Sequence, residues 1–257
     1  MKSTMDQQEL STSQFGGNAA NYLTSSVHSV GADLDRLVDI AAQLQPTRVL
    51  DLGCGAGHAS FALARGGARR VTAYDPSPDM LAVVTAEAGR RGLNTIETQL
   101  GAAETLPFDS GSFDYVVTRY SAHHWPDVPA ALAECARVLK PSGRLTVIDV
   151  IAPETSLLDT ALQVIEFLRD GSHVRDYRVS EWCAMQIGAG FQAPEARRWK
   201  LHLDFQSWIT RIGTPRERVA ALHTAFDGMS TEVQQYFNVS QERSFSIDAA
   251  WLDTVRR

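Results

Sequence analysis

No run of apolar residues in this chain approaches the roughly 18–20 that span a bilayer, so a transmembrane helix is not expected. Cysteine is scarce. Cys54, Cys135 and Cys183 are odd in number and show no paired spacing, which argues against a disulfide framework or a structural zinc site. Cys135 and Cys183 fall within helical patterns and read as small semi-apolar fillers. An excess of positive charge is also lacking: the formal net charge is −6, which disfavours nucleic acid as a partner apart from a local patch near Arg197-Arg198. Met1 to Ser13 are polar and acid-containing, without the hydrophobic core of a signal peptide, so a cytoplasmic location is the default expectation. Internal repeats and low-complexity tracts are absent. What remains is a chain of 257 residues, 44% of them hydrophobic, enough to bury a full α/β core with a sizeable cap.

The order of elements is legible from residue 32 onward. Leu34, Leu37, Val38 and Ala41 recur at helical spacing before Pro46. A strand over 48–52 and a helix over 58–65 follow, then a second strand over 70–74 that ends at Asp75. Ser77-Pro78-Asp79 combines an N-cap, a proline at the first helical position and an early acid, so a helix starts there and ends at Gly89 and Gly92. Strands are expected over 95–100, 113–118 and 144–151, with a helix between the last two that opens at Asp127 and closes at Pro141-Ser142-Gly143. This rhythm predicts a doubly wound parallel sheet with helices on both faces. Beyond Pro153 the pattern gives helices over Leu158–Leu168 and 181–187, a half-buried strand over 196–205, helices from Ser207 to about Phe237 and a last strand from Ser244 toward Leu252. Residues 170–177 form a charged aromatic loop too long for a mere connector.

The most informative stretch is Val49-Leu50-Asp51-Leu52-Gly53-Cys54-Gly55-Ala56-Gly57-His58. An apolar strand runs into glycines, so a ligand can approach the backbone closely at the N-terminus of the next helix. Asp75, at the end of the second strand, is placed to accept hydrogen bonds from both hydroxyls of a ribose. A nucleoside ligand follows. The dinucleotide fingerprint G-x-G-x-x-G is incomplete, with His58 or Ser60 standing where the third glycine belongs, which weakens a nicotinamide oxidoreductase.

Asp51-Leu52-Gly53-Cys54-Gly55-Ala56-Gly57, Asp75, Ala103-Glu104-Thr105-Leu106-Pro107-Phe108, Phe113-Asp114-Tyr115-Val116-Val117 and Glu134–Leu145 resemble, in order, the motifs of class I S-adenosylmethionine-dependent methyltransferases. They are most similar to the ubiquinone and menaquinone biosynthesis branch. The resemblance covers residues 48–151 and is weaker in the last hundred or so residues. It implies a Rossmann-like sheet of seven strands, mostly parallel with the last antiparallel. Residues 1–45 would form a tail and cap helices, 46–152 the cofactor-binding core, and 153–257 the rest of the sheet with inserted cap helices. It further implies S-adenosylmethionine as cofactor and S-adenosylhomocysteine as product. Gly53, Gly55 and Gly57 would pass beneath the methionine and ribose, with Asp51 holding the amino group and Asp75 the ribose hydroxyls. Pro76, Ser77, Ala103 and Glu104 would meet the adenine, His58 would touch the cofactor without doing chemistry, and Arg119 would offer its carbonyl to the amino group. Many relatives carry an acid before the Ala-Glu pair, where this chain has Ala102.

A sulfonium methyl is already electrophilic, so such a site must chiefly align the reactants and exclude water. A base is needed only for an acceptor that must lose a proton, such as a phenol, enol or carbon acid. His123 and His124, just past the fourth strand, are the candidate bases. Adjacent histidines cannot easily face one centre, so one of them is expected to pack, and two alone do not make a metal site. Trp125 reads as a hydrophobic plug. Phe15-Gly16-Gly17-Asn18-Ala19-Ala20-Asn21-Tyr22 resembles the family segment that folds over the cofactor, with Phe15 and Tyr22 shielding the methyl group. Arg169, His173 and Arg175 are the second candidate lid, suited to an anionic acceptor. The expectation is direct in-line methyl transfer to a small molecule, aromatic or quinone-like. Two rivals stay open: a nicotinamide-dependent oxidoreductase and a non-catalytic S-adenosylmethionine-binding module.

Overall fold

The structure, a computed structural model, describes residues 5–16, 22–23 and 29–257. Helices α1 (Gln7–Gly16) and α2 (Ala32–Leu44) precede β1 (Val49–Leu52), and the chain then alternates through α3 (His58–Arg65), β2 (Val71–Asp75), α4 (Pro78–Arg91) and β3 (Ile96–Leu100). Next come β4 (Phe113–Arg119), a single turn of 3-10 helix at Ala122–His124, α5 (Val128–Val138) and β5 (Leu139–Ala152). After β5 lie α6 (Ser156–Arg169), the two-residue β6 (Tyr177–Arg178), α7 (Val179–Gly188), β7 (Glu195–Leu203), α8 (Phe205–Ile212), α9 (Arg216–Asp227), α10 (Thr231–Tyr236) and β8 (Phe245–Val255).

Among the described residues the strands run in the order β3-β2-β1-β4-β5-β8-β7, with β6 paired to β5 off this path. β1 to β5 pair in parallel, whereas β8 is antiparallel to both β5 and β7. This is the expected mostly parallel, doubly wound sheet with its last strand reversed. The order turns between β1 and β4, so the loops after these strands border the crevice where such sheets take ligands.

Alternation along the strands decides which face each residue serves. Leu50, Leu52 and Val116 meet α5 and α7 through Leu132, Cys135 and Trp182, while Val49, Tyr115 and Val117 meet α2 and α3 through Leu37, Ala41 and Leu63. A third cluster beyond β5 packs Leu162 of α6 and Trp208 of α8 against Phe226 and Phe245. Trp182 and Trp208 are each 1% exposed, and burial of an aromatic side chain that size is worth about 3 kcal/mol.

Local chemistry sets the boundaries. The Ser77 hydroxyl accepts the Met80 N–H at 3.3 Å, Pro78 occupies the first turn, and Gly92 closes α4 in the left-handed region. Gly89 lies inside the helix rather than ending it. β5 begins at Leu139, earlier than expected, because Pro141-Ser142-Gly143 forms an irregularity within the strand, between the Phe113 and Tyr115 pairings. The strand expected to reach Phe205 stops at Leu203, since Asp204 accepts the Ser207 N–H at 2.8 Å and starts α8 instead. The cysteines are free.

Candidate active site

The glycine loop leaves β1 with its backbone bound to the end of β2. The two oxygens of Asp75 divide the work: Oδ2 accepts the Gly55 N–H and Oδ1 the Ser77 N–H, each at 2.9 Å. Each oxygen keeps a lone pair for a further donor. Gly53 has φ +69°, and a Cβ there would sit 1.9 Å from Ser121 Oγ, so only glycine fits. Gly55 has φ +50° and faces open space. Gly57 departs from expectation: it starts α3 and packs on Phe61 instead of joining the wall of the cleft.

Asp51, 1% exposed, accepts the Ser60 hydroxyl on Oδ2 at 2.6 Å, while its Oδ1 is buried with no partner. An orphaned carboxylate oxygen is costly unless a ligand supplies the donor. Ser60 therefore does a different task from the third glycine of a dinucleotide fold. Burial pushes the carboxyls of both Asp51 and Asp75 up to about 6.

A cleft opens over this loop. Pro76, Ser77, Ala103, Glu104, Arg119 and His58 join Asp51, Gly53, Gly55 and Asp75 around it. An orphaned acceptor, a carboxylate with spare lone pairs and an open backbone fit an aminoacyl nucleoside. Ala102 lies in the same wall and brings no acid, leaving Glu104 as the carboxylate there. The Arg119 side chain is tied to Asp33, Nε to Oδ2 at 2.6 Å, with both groups largely buried. His58 Nε2 lies 3.1 Å from the Tyr22 carbonyl, and burial lowers its pKa. The imidazole thus joins the loop to the N-terminal segment in its neutral form.

That segment covers the cleft. Gln8, Ser11, Thr12 and Phe15 of α1 line it, and Gln7 Nε2 and Gln14 Nε2 donate to the carbonyls of Ser172 and Ile212 at 2.5 and 2.9 Å. Phe15 stands edge-on to both Tyr22 and His124, with centroids 5.4 and 4.8 Å apart. The intervening Gly17–Asn21 lie outside the described residues.

A second cavity adjoins the first, and Phe15, Tyr22, Tyr120 and His124 line both. Tyr120, directly after β4, holds a left-handed φ of +51°, a strained setting for a bulky residue. His123 lines only the second cavity. Its Nδ1 is 2.6 Å from Asp149 Oδ1, leaving Nε2 as the ring nitrogen for the cavity. Burial opposes the charge on His123, yet Asp149, Asp176 and Glu166 together bring its pKa to about 9. His124 is the reverse, lowered to about 4 by burial and by His123, whose ring centroid is 4.2 Å away. Both His124 nitrogens face the Asp170–Ser172 turn, with Nδ1 3.1 Å from the Ser172 carbonyl and Nε2 3.8 Å from Asp170 Oδ2. The two rings, tilted 50° to each other, thus carry one proton charge, on His123.

The second lid candidate divides. Arg169 lines the second cavity, but His173 and Arg175 do not. His173 is buried and held to about 2 by burial and by the charge on His123, so it offers no cation. Arg175 turns away to Asp159 at 3.1 Å and Glu181 at 3.4 Å. Asp149, Glu166, Asp176 and Arg211 were not singled out from the sequence. Asp149 left a signal, an acid inside Val147-Ile148-Asp149-Val150-Ile151 that must find a buried partner. Among the described residues, no group of three or more His, Cys, Asp or Glu is arranged to hold a metal ion, and no helix is long and apolar enough to cross a membrane.

A nucleoside cleft at the switch point of a doubly wound sheet with a reversed last strand defines a Rossmann-like, ligand-binding α/β protein. The comparisons name its family. Residues 50–147 match the model of a methyltransferase domain. The chain is 35% identical over 248 residues to the uncharacterized methyltransferase YcgJ of Bacillus subtilis, covering 95% of this chain and 98% of the relative. The crystal structure of YcgJ superposes with a TM-score of 0.81 at 34% identity, over 86% of this chain and 98% of that one. An uncharacterized Escherichia coli protein, YafE, is 45% identical over 183 residues, 71% of this chain and 88% of its own length. The demethylmenaquinone methyltransferase of Thermus thermophilus is 37% identical over 135 residues, 51% of this chain and 61% of that protein. The chain belongs to the class I S-adenosylmethionine-dependent methyltransferases, and S-adenosylmethionine is its cofactor. The nicotinamide alternative falls with that assignment and with the role of Ser60.

Proposed function

We propose that this protein transfers the methyl group of S-adenosylmethionine in line to a small-molecule acceptor held in the second cavity. The observation that carries this reading is the wall shared by the two cavities: Phe15, Tyr22, Tyr120 and His124 border both, so one molecule in each would meet across them. The kinship with a demethylmenaquinone methyltransferase supports an aromatic or quinone-like acceptor.

When bound, the cofactor supplies an electrophilic methyl on sulfur. The chain's own residues do the rest by positioning. Asp75 would accept the ribose hydroxyls and Asp51 Oδ1 the amino group. Pro76, Ser77, Ala103 and Glu104 would border the adenine, and the Arg119 carbonyl would take a further amino proton. Phe15 of α1 and Tyr22 exclude water. His123, oriented by Asp149 at Nδ1 and held as the imidazolium near neutrality, would present its Nε2–H to the cavity as a hydrogen-bond donor to the acceptor and not as the base that the sequence suggested. His124, its nitrogens turned to the 170–172 turn, serves as wall.

The test is incubation with isotopically labelled S-adenosylmethionine and a metabolite extract, read by mass spectrometry. A labelled small molecule whose formation needs an intact Asp75 is the expected result. Labelled macromolecule without labelled metabolite overturns the reading, and binding without transfer to any pool returns the non-catalytic module.

A further inference from the structure

The second cavity has two unlike sides. Val150, Leu201, Leu203 and Ile247 present an apolar wall from β5, β7 and β8, whereas Arg169 of α6 and Arg211 of α8 bring two guanidinium groups to the other side. Arg169 is held in place, its Nε donating to the Trp208 carbonyl at 3.1 Å and its guanidinium carbon 5.1 Å from the centre of the Trp208 ring. Its side chain is 11% exposed. Arg211 has a buried Nε without a hydrogen-bond partner. Both arginines donate side-chain hydrogen bonds to the Tyr22 hydroxyl. Two acids line the cavity: Glu166 stands 3.7 Å from Arg169, too far for a hydrogen bond, and Asp176 lies toward the histidines, its Oδ2 3.8 Å from His173 Nε2, while the charge on His123 is already paired with Asp149.

Two like charges brought together in a semi-enclosed, largely apolar space are unfavourable unless something compensates them. Glu166 answers one of the two. The remaining positive charge, on an Arg211 that spends one donor on Tyr22 and keeps others of its planar fork, suits a monoanion with two oxygens more than a dianionic phosphate. The wall opposite suits an apolar body attached to that head.

Resting on the reading of this cavity as the acceptor pocket, we propose that the methyl acceptor is an amphipathic carboxylate. Its head is received by Arg169 and Arg211, and its apolar body lies along Val150, Leu203 and Ile247 toward the shared wall. The arginines bind and orient the acceptor and take no part in bond making.

The probes are 2-naphthoate and its neutral isostere 2-naphthamide, titrated by calorimetry into full-length protein saturated with S-adenosylhomocysteine. The naphthoate is expected to bind at least about tenfold more tightly than the amide, the worth of one charge-assisted pair. Arg211→Gln and Arg169→Gln should each abolish that preference while S-adenosylhomocysteine affinity stays within about twofold, which shows the variants folded. Arg211→Lys should retain only part of it, because the charge remains without the fork. Equal binding of acid and amide, failure of both to bind at about 5 mM, or a preference unchanged in Arg211→Gln overturns the proposal. Acid preference without methyl transfer to any metabolite would fault the proposed function instead. Transfer to neutral acceptors without acid preference would fault only this inference.

Discussion

His123 and Asp149 form a buried charge pair that ties the loop after β4 to β5. Asp149 Oδ1 lies 2.6 Å from His123 Nδ1, and Oδ2 accepts the Ala122 N–H at 3.0 Å, so one carboxylate fixes both the ring and the turn that carries it. The histidine pKa, brought to about 9 against burial by Asp149 and its acidic neighbours, makes the pair a source of pH-dependent stability. The folded value lies above the unfolded one, so this contribution is whole below the ordinary histidine range and is lost as pH rises through about 9. Urea midpoints of the wild type should therefore fall on the alkaline side, and Asp149→Asn should flatten that limb. The substitution should also cost on the order of 3 kcal/mol near neutrality, as breaking a buried pair does. An unchanged alkaline limb in the variant would show that the pair carries no such linkage.

Cofactor affinity should depend on pH with the opposite sense. Asp51 and Asp75 are pushed up to about 6 by burial, yet both must be ionised to accept charge-assisted hydrogen bonds from an amino group and ribose hydroxyls. Affinity for S-adenosylhomocysteine should be steady above neutrality and fall below pH 6, by about tenfold per carboxylate at pH 5. Calorimetry across this range checks it. Asp75→Ala should lose most of the affinity at every pH, and a flat profile in the wild type would remove these carboxylates from the cofactor site.

The parts of this arrangement that were legible in the sequence share a physical cause. The start of α4 at Ser77-Pro78 and the meeting of Asp75 with the glycine loop depend on a few neighbouring residues and on β1 pairing with β2. The missing parts depend on encounters between distant segments. Arg211 reaches the second cavity because α8 packs beside α6, as the Trp208 carbonyl bonded to Arg169 shows. The carbonyl of Ser172 draws in the nitrogen of His124 across 48 positions. Arg175 looked like a lid cation because its charge was visible, whereas its partner Asp159 sits on the preceding helix and faces it only after folding. Charge at a loop is local information. Its direction is not.

Ser60 tests how far the glycine pattern can be moved between cofactors. Ser60→Gly would complete Gly55-x-Gly57-x-x-Gly, yet it removes the 2.6 Å bond to Asp51 and leaves the buried carboxylate only the backbone N–H of residue 60. The expected outcome is a loss of about 1–2 kcal/mol in stability, weaker S-adenosylhomocysteine binding, and no gain of reduced nicotinamide binding by fluorescence. Ser60→Thr, which keeps the hydroxyl, should retain more cofactor affinity than Ser60→Gly. Appearance of nicotinamide binding would mean that glycine spacing alone selects the cofactor in this fold.

Gly53 offers a sharper steric test. A methyl group there meets Ser121 Oγ at 1.9 Å and Ser121 Cβ at 2.7 Å, and the backbone already lies at φ +69°. Gly53→Ala therefore combines a left-handed alanine, about 1 kcal/mol, with a clash that must push the loop after β1 away from the turn after β4. Ser121 also accepts the Trp125 indole N–H at 3.1 Å, so the displacement should spread to the wall of the cleft. The variant should lose about 1–3 kcal/mol of stability and at least about tenfold in S-adenosylhomocysteine affinity. Ser121→Gly in the same chain removes the colliding atoms but not the backbone strain, so the double variant should recover part of the affinity and less of the stability. A double variant no better than Gly53→Ala would place the whole effect in backbone conformation and none in the Ser121 contact.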